Sequence, residues 1–257
     1  MTAWDIEGRR PGTVGACIYC GKISDSLEKE HIIPYGLKGQ WVLPSASCRK
    51  CAQITSRFER NVLRDWLLPA RAALHCPTRR PGKRPKRFPV FMTRAGVEKE
   101  IQVPIEEYPT VIPMWVFDLP GYLTGNSGSE LKAIGASFIT IGTISTEELT
   151  NKYGANAGIR ITHQPYTVAQ FIAKIAYGFS VAQFGLRNIQ EAYVLPGILG
   201  VSNDLGQWVG CDQMRKLGAA KDYHSFEIST NRNEIVTRVK LFSQFDTPEY
   251  VVCVGRL

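Results

Sequence analysis

Two cysteine pairs and a Glu-His dipeptide are the residues of this 257-residue chain whose types and spacing could do chemistry. The first pair is Cys17 and Cys20 in "CIYC", and the second is Cys48 and Cys51 in "CRKC". Each C-x-x-C places two thiolates on one tight turn, so four soft sulfur ligands can meet in the tetrahedron that Zn²⁺ prefers. The spacing therefore predicts a structural zinc site, which would replace a hydrophobic core in a short polar segment.

Between the two pairs, the sequence "EHIIP" sets a carboxylate beside an imidazole, at Glu30 and His31. A carboxylate can hold a hard cation such as Mg²⁺ on phosphate oxygens, while a neutral histidine takes a proton from the attacking water. In a strand the two side chains would point to opposite faces, so both could serve one site only at a bend or a sheet edge. The dipeptide is suited to phosphodiester hydrolysis.

Composition and charge limit the protein classes to consider. A hydrophobic content of 44% with 21% charged residues is ordinary for a soluble globular protein, and the net charge of +8 favours an anionic partner. The first residues have no signal-peptide pattern and no apolar run reads as a membrane span, which predicts a cytoplasmic protein without a membrane partner. The odd count of seven cysteines argues against a disulfide framework.

Residue composition and spacing change along the chain and predict four segments. They are a flexible lead at 1–12, a metal-bound module at 13–75, a basic proline-rich linker at 76–89 and an α+β domain of unknown role at 90–257. Apolar residues recur at helical spacing over 52–64 in the module. In the last segment we expect a hairpin turning near Ala95-Gly96 and a long helix over 167–184, capped by Thr167.

The combined frame "CIYC…EHIIPYGLKG…SCRKC" resembles the zinc-ribbon branch of the HNH (His-Me finger) endonucleases over residues 17 to about 65. The resemblance implies a ββα-metal fold, so the expected fold class is α+β, with an N-terminal zinc-bound ββα module and a C-terminal α+β domain. It also implies that the four cysteines hold Zn²⁺, that His31 is the general base and that Glu30 binds a catalytic Mg²⁺ or Mn²⁺.

The chain departs from the family pattern at two positions. Where the family commonly has Asn or His after the last cysteine, this chain has Ala52, and the middle Asn of the motif would fall at Leu43. Alanine offers no donor atom, so another residue supplies the ligand or the site is degenerate. On a helix with 100° per residue, Ser56 and Glu59 lie within about 40° of the direction of Ala52. We expect Glu59 to be the replacement ligand and Ser56 to assist, the alternative being a solvated acid paired with a basic neighbour.

Nine basic residues could hold the phosphates of a nucleic acid. Three lie on the predicted helix and six crowd into nine positions of the linker, which prolines keep extended, as in an arm that follows the DNA backbone. For the linker residues a solvated tether is the alternative. The nine are Arg57, Arg60, Arg64, Arg79, Arg80, Lys83, Arg84, Lys86 and Arg87.

The leading interpretation is a metal-dependent HNH-type endonuclease that hydrolyses DNA, with RNA left open as a substrate. A restriction or phage-defence role, with a homo-oligomer or a defence-system partner bound through the C-terminal domain, rests on fold-level analogy alone. The main alternative is a catalytically weakened zinc ribbon that only binds nucleic acid, as Ala52 and Leu43 suggest. A third reading makes the zinc module a brace for an enzyme in the C-terminal domain.

Overall fold

The computed structural model describes residues 12–126, 130–142, 144–153, 156–161, 164–213 and 222–257. The predicted flexible lead at 1–12 lies, apart from Gly12, outside these ranges. Helices and strands are mixed along the chain, which confirms the predicted α+β class.

The N-terminal part is a two-stranded antiparallel sheet followed by a helix, the ββα order that the resemblance implies. Glu30 lies opposite Leu43 in this sheet, and His31 lies opposite Val42. The first helix begins directly after Cys48, so the second cysteine pair stands at its N-terminus. The elements are β1 (Glu28–His31), β2 (Val42–Ser47), α1 (Arg49–Asn61), a π-helical turn (Val62–Trp66) and α2 (Leu68–Ala73).

Within the described ranges, the rest of the chain forms three further antiparallel sheets, with strand orders β4-β3-β7, β5-β6 and β8-β11-β10-β9. The strands are β3 (Arg87–Arg94), β4 (Val97–Pro104), β5 (Val111–Phe117), β6 (Ala133–Thr140), β7 (Asn156–Gly158), β8 (Val209–Cys211), β9 (His224–Asn231), β10 (Glu234–Leu241) and β11 (Tyr250–Arg256). The helices are α3 (Gly121–Thr124), α4 (Thr146–Tyr153), α5 (Pro165–Phe184), α6 (Leu195–Ile198) and α7 (Leu205–Trp208).

The hairpin predicted near Ala95-Gly96 is confirmed as the connection between β3 and β4. Both turn residues have positive φ angles, 48° and 78°, as a two-residue turn between right-twisted strands requires. Strand β3 already begins at Arg87, so the last residues of the predicted linker are part of a sheet.

Helix α5 lies at the centre of the molecule and confirms the helix predicted over 167–184. It begins at Pro165, two residues before the predicted Thr167 cap, because proline suits the first turn of a helix. The helix packs against β10 and β11 on one side and against α1 on the other. A helix enclosed in this way is apolar nearly all round, and α5 joins the ββα unit and the C-terminal sheet in one hydrophobic core.

An aromatic stack illustrates this shared core. The ring of Phe179 in α5 stacks on Trp41, next to β2, with centroids 5.7 Å apart, and on Phe226 of β9 at 5.0 Å. In the ranges described, no helix has both the length and the apolar character needed to cross a lipid bilayer.

Candidate active site

The four cysteines of the two C-x-x-C pairs meet at one point. Their sulfur atoms all lie within 4.8 Å of one another, and the Sγ atoms of Cys20 and Cys48 are 3.7 Å apart. A tetrahedron with Zn–S bonds of about 2.3 Å has edges of about 3.8 Å, so the cluster has the size and the ligand type of a structural zinc site. Cys17, Cys20, Cys48 and Cys51 would hold the ion.

Backbone hydrogen bonds shape both halves of this cluster. The Gly21 N–H donates to the Cys17 carbonyl at 2.8 Å, and Gly21 has a φ of 71°, which closes the first turn. The Ala52 N–H donates to the Cys48 carbonyl at 2.9 Å as α1 starts. From the other side, the Tyr177 hydroxyl of α5 donates to the Ile18 carbonyl at 2.5 Å, which ties the cluster to the central helix.

Strand β1 separates Glu30 from His31, as the alternation of side chains along a strand requires. Glu30 is 6% exposed and turns into the core, opposite the buried Leu43 of β2. His31 is half-buried and lines an open cleft. The two adjacent residues therefore face different environments.

Glu30 on the buried side and Glu59, which also lines the cleft, meet around a lysine that the sequence-based reasoning missed. The Nζ atom of Lys174 in α5 lies 2.8 Å from a carboxylate oxygen of Glu30 and 2.8 Å from one of Glu59. The same ammonium donates to the carbonyl of His31 and lies 3.3 Å from that of Ile32. The Lys174 side chain is 1% exposed, so this cluster is closed to solvent on the lysine's side.

The charges of this cluster depend on one another. Burial by itself would lower the pKa of Lys174, but Glu30 and Glu59 outweigh it and raise that pKa above its ordinary value, so the ammonium stays charged. Burial raises the pKa of Glu59, against the opposing effect of Lys174. The phenol of Tyr19 borders the same site, and burial together with both carboxylates raises its pKa.

Such an arrangement does not fit a divalent cation between Glu30 and Glu59. The two carboxylates come together, as a metal would require, but an ammonium already lies between them. Among the described residues, the cysteine cluster is the one group of three or more Cys, His, Asp or Glu side chains close enough to bind a metal. Ser56, the assisting ligand that we expected, lines the cleft and donates its hydroxyl to the Gln53 carbonyl at 3.1 Å.

On the open side of β1, His31 has the features of a general base. Its Nδ1 atom is buried, so Nε2 is the ring nitrogen left to take a proton from a water in the cleft. Burial lowers the pKa of the imidazole, and the positive charges of Lys174, Lys29 and Arg79 lower it further, while Glu30 opposes them. A histidine with a lowered pKa is neutral near pH 7 and can accept a proton.

The cleft in front of His31 has a volume of about 730 Å³ and a strongly basic lining. Six of the nine basic residues predicted to bind nucleic acid line it, whereas Arg57, Lys86 and Arg87 do not. Arg71, which we did not predict, also lines the cleft and donates to the Gly36 carbonyl at 2.8 Å. The six are Arg60, Arg64, Arg79, Arg80, Lys83 and Arg84.

Lys174 could have been noticed in the sequence, because it is the only charged residue in the long apolar run "TVAQFIAKIAYGFSVAQF". A lysine in a buried helix needs counter-charges. The run gives no indication of which acids those are, since the spacing of residues along α5 contains no information about distant segments.

Comparison with known proteins agrees with the resemblance noted above. Residues 17–67 match the family described as HNH endonuclease, which confirms the resemblance for this segment. No curated protein and no solved structure matches the chain. The matched segment contains the cysteine cluster, Glu30, His31 and Glu59.

Proposed function

We propose that the segment at 17–67 is the nuclease part of an enzyme that hydrolyses phosphodiester bonds of DNA, with His31 as the general base. The observation that carries this proposal is the position of His31. A histidine with a lowered pKa opens into a cleft lined by six of the expected basic residues, in a segment that matches the HNH endonuclease family.

In the proposed reaction, the neutral imidazole of His31 takes a proton from a water molecule, which attacks the phosphorus atom. Negative charge then accumulates on the phosphorane and on the leaving oxygen, and guanidinium groups around the cleft stabilise it. Arg60, Arg64 and Arg79 are the candidates for this role, because they line the same cleft as His31 and are exposed.

Zinc has a structural part in this proposal. Bound to the four cysteines, it would fix the turn at Cys17–Cys20 against the start of α1 and hold β1 at the edge of the cleft. We assign no step to the Mg²⁺ or Mn²⁺ expected from the sequence, because Lys174 lies between the two carboxylates that would bind it.

A plasmid-nicking assay tests the proposal. The zinc-loaded protein is incubated with supercoiled DNA in buffer freed of divalent cations, and separately with Mg²⁺ or Mn²⁺. We expect His31→Asn to lower the cleavage rate at least about 100-fold, the usual minimum for the loss of a general base, without changing the melting temperature. The matched control is His75→Asn, because His75 is exposed and has a φ of 49°, which asparagine tolerates.

Cleavage by His31→Asn at the rate of the unmodified protein would contradict the assignment of His31. The same assay with single-stranded and double-stranded RNA decides whether DNA is the substrate.

A second candidate function is supported by Ala52 and by Lys174. A zinc module whose acidic pair already holds a lysine could bind nucleic acid through its basic cleft without cutting it. Tight DNA binding with no cleavage under any metal condition would favour this second function over the first.

A further inference from the structure

We propose that Lys174 is the resident cation of this site: its ammonium group takes the place of a divalent metal between Glu30 and Glu59, and it positions His31 through the backbone of β1. One consequence of this inference is that cleavage uses no metal ion bound to these two carboxylates, and this consequence rests on the proposed nuclease function. The occupancy of the site by Lys174 is independent of that function.

The surroundings of the ammonium are those of a bound cation. Four oxygen atoms face it, two from carboxylates and two from the carbonyls of His31 and Ile32. The two carboxylate distances of 2.8 Å are those of close ammonium–carboxylate ion pairs. The ammonium thus occupies the position between the two carboxylates that a bridging metal would need.

The lysine is held where it is by the packing of α5. A metal could bind only if the Lys174 side chain left, and that side chain is 1% exposed on a helix whose neighbours belong to the hydrophobic core. Around it, α5 is tied to the zinc-binding turn by the Tyr177 hydroxyl and approaches β1 closely, since a Cβ atom added at Gly178 would lie 3.5 Å from Ile32. Of the three charged side chains, Glu59 alone lines the cleft, and it is 20% exposed.

Lys174 acts on His31 through the main chain. It does not line the cleft in which a phosphate would bind, so we do not assign it as a catalytic residue. Its ammonium binds the carbonyls of His31 and Ile32, where the four-residue strand β1 ends. Holding the peptide group that follows the His31 Cα restrains the backbone from which the imidazole projects. Lys174 is therefore a positioning residue for the general base.

Binding of Mn²⁺ to the zinc-loaded full chain tests the occupancy directly. The electron paramagnetic resonance signal of free Mn²⁺ is followed during titration of the unmodified protein and of Glu59→Gln. We expect the same free Mn²⁺ at every point for both proteins. A Mn²⁺ ion bound by the unmodified protein and lost in Glu59→Gln would overturn the proposal. Zinc content is measured before and after the titration, so that loss of the structural ion is not mistaken for binding.

The titration is repeated with DNA present, using His31→Asn alone and combined with Glu59→Gln. A switch, in which DNA binding drives Lys174 out and admits a metal, would give Mn²⁺ binding that depends on Glu59 only when DNA is present. That result would also overturn the proposal, and equal binding by the two proteins supports it.

A neutral replacement of the whole cluster tests the positioning role. The triple variant Glu30→Gln, Glu59→Gln, Lys174→Met removes all three charges together, so no carboxylate is left without a partner. If it melts cooperatively, we expect kcat to fall at least tenfold with KM unchanged, and the imidazole resonances of His31 to shift in NMR spectra. A folded triple variant with the unmodified kcat and unshifted His31 resonances would overturn the positioning role. If it does not fold, the Mn²⁺ titrations of the folded proteins still decide whether a metal can take the place of Lys174.

The failure of the inference and the failure of the proposed function give different results. Cleavage that requires Mg²⁺, together with Mn²⁺ binding that depends on Glu59, overturns the inference and leaves the nuclease function standing. No cleavage of any nucleic acid removes the nuclease function, and the Mn²⁺ titrations then decide the place of Lys174 by themselves.

Discussion

The two faces of strand β1 carry neighbouring residues with opposite surroundings. On one face Glu30 is buried, paired with Lys174 and shielded by α5. On the other, His31 opens into a cleft whose charges are nearly all positive and mostly exposed. One peptide bond separates a residue that contributes to packing from one that is placed to contact a substrate.

This difference indicates how the module and the C-terminal region are coupled. Helix α5 belongs to the C-terminal region, yet its lysine holds the end of the strand from which His31 projects. A change on the buried face should therefore act on stability and on the direction of His31, whereas a change on the open face should act on chemistry and binding alone.

The largest effect is expected from loss of the zinc site, which supports both faces of β1. Cys51→Ser removes one of four sulfur ligands, and structural zinc contributes on the order of 10 kcal/mol to the folding of small zinc modules. We expect loss of bound zinc and of the cooperative thermal transition of the module, measured by atomic absorption and by circular dichroism. Cys253→Ser, outside the cluster, should keep one zinc ion per chain. Retention of zinc by Cys51→Ser would contradict the assigned ligand set.

The next largest effect is on the free energy of unfolding, which should differ between changes on the two faces of β1. Lys174→Met leaves two buried carboxylates without a counter-charge, which should lower the free energy of unfolding by about 3–5 kcal/mol. His31→Ala, on the open face, should change it by less than about 1 kcal/mol. Urea unfolding measures both values. Lys29→Met serves as the control, because Lys29 is exposed on the same strand. Equal losses for Lys174→Met and His31→Ala would contradict the distinction between the faces.

A pH effect is expected where the turn after β1 meets the C-terminal sheet, at His224. Its Nδ1 accepts a hydrogen bond from the Phe242 N–H at 3.2 Å, so Nε2 carries the proton and donates to the Leu37 carbonyl at 2.8 Å. Burial lowers the pKa of His224 to about 4, which keeps the ring neutral in the folded protein.

Because the unfolded chain binds this proton at pH values near 6.5, the contribution of His224 is complete above about pH 6.5 and is lost as the pH falls to about 4. The shift corresponds to about 3 kcal/mol. Urea unfolding at pH 7.5, 5.5 and 4.5 measures it, and His224→Gln should lack this part of the pH dependence. An identical pH dependence in the two proteins would contradict a neutral His224 ring that is hydrogen-bonded at both nitrogens.

The smallest effect concerns the basic residues of the open face. Arg79→Ala with Arg80→Ala removes two cleft charges and should weaken DNA binding. It should also reduce the slope of log K against log salt by about 0.9 for each phosphate that the protein no longer neutralises. Lys86→Ala with Arg87→Ala removes two charges outside the cleft lining, and fluorescence anisotropy over a range of salt concentrations compares the two double variants. Equal slopes would mean that the cleft does not direct DNA binding.

Several features could be predicted because they are encoded within a few neighbouring residues. The C-x-x-C spacing predicts the cysteine cluster, the apolar periodicity predicts α1 and α5, and the Ala95-Gly96 turn predicts the β3–β4 hairpin. Each rests on local geometry: the reach of two thiolates on one turn, about 3.6 residues per helical turn, or the φ angles of a turn.

For Glu59, the sequence predicts the direction of the side chain but not its partner. The angular position of Glu59 on α1 places it on the side of the expected metal, and its carboxylate does meet that of Glu30 around one cation. The cation is a lysine that lies 143 residues along the chain from His31. Helical geometry fixes the direction of a side chain and contains no information about which distant segment packs against it.

The sequence alone therefore determined the cysteine cluster, the adjacent Glu30 and His31 on one strand, and the order of the ββα unit. Only the tertiary structure decided that Glu30 is neutralised, that His31 faces the basic cleft and that Lys174 lies between the two acids. The reason is that metal spacing and strand alternation act over a few residues, whereas the pairing of buried charges is set by the packing of α5 across β1 and α1, which are distant in the chain.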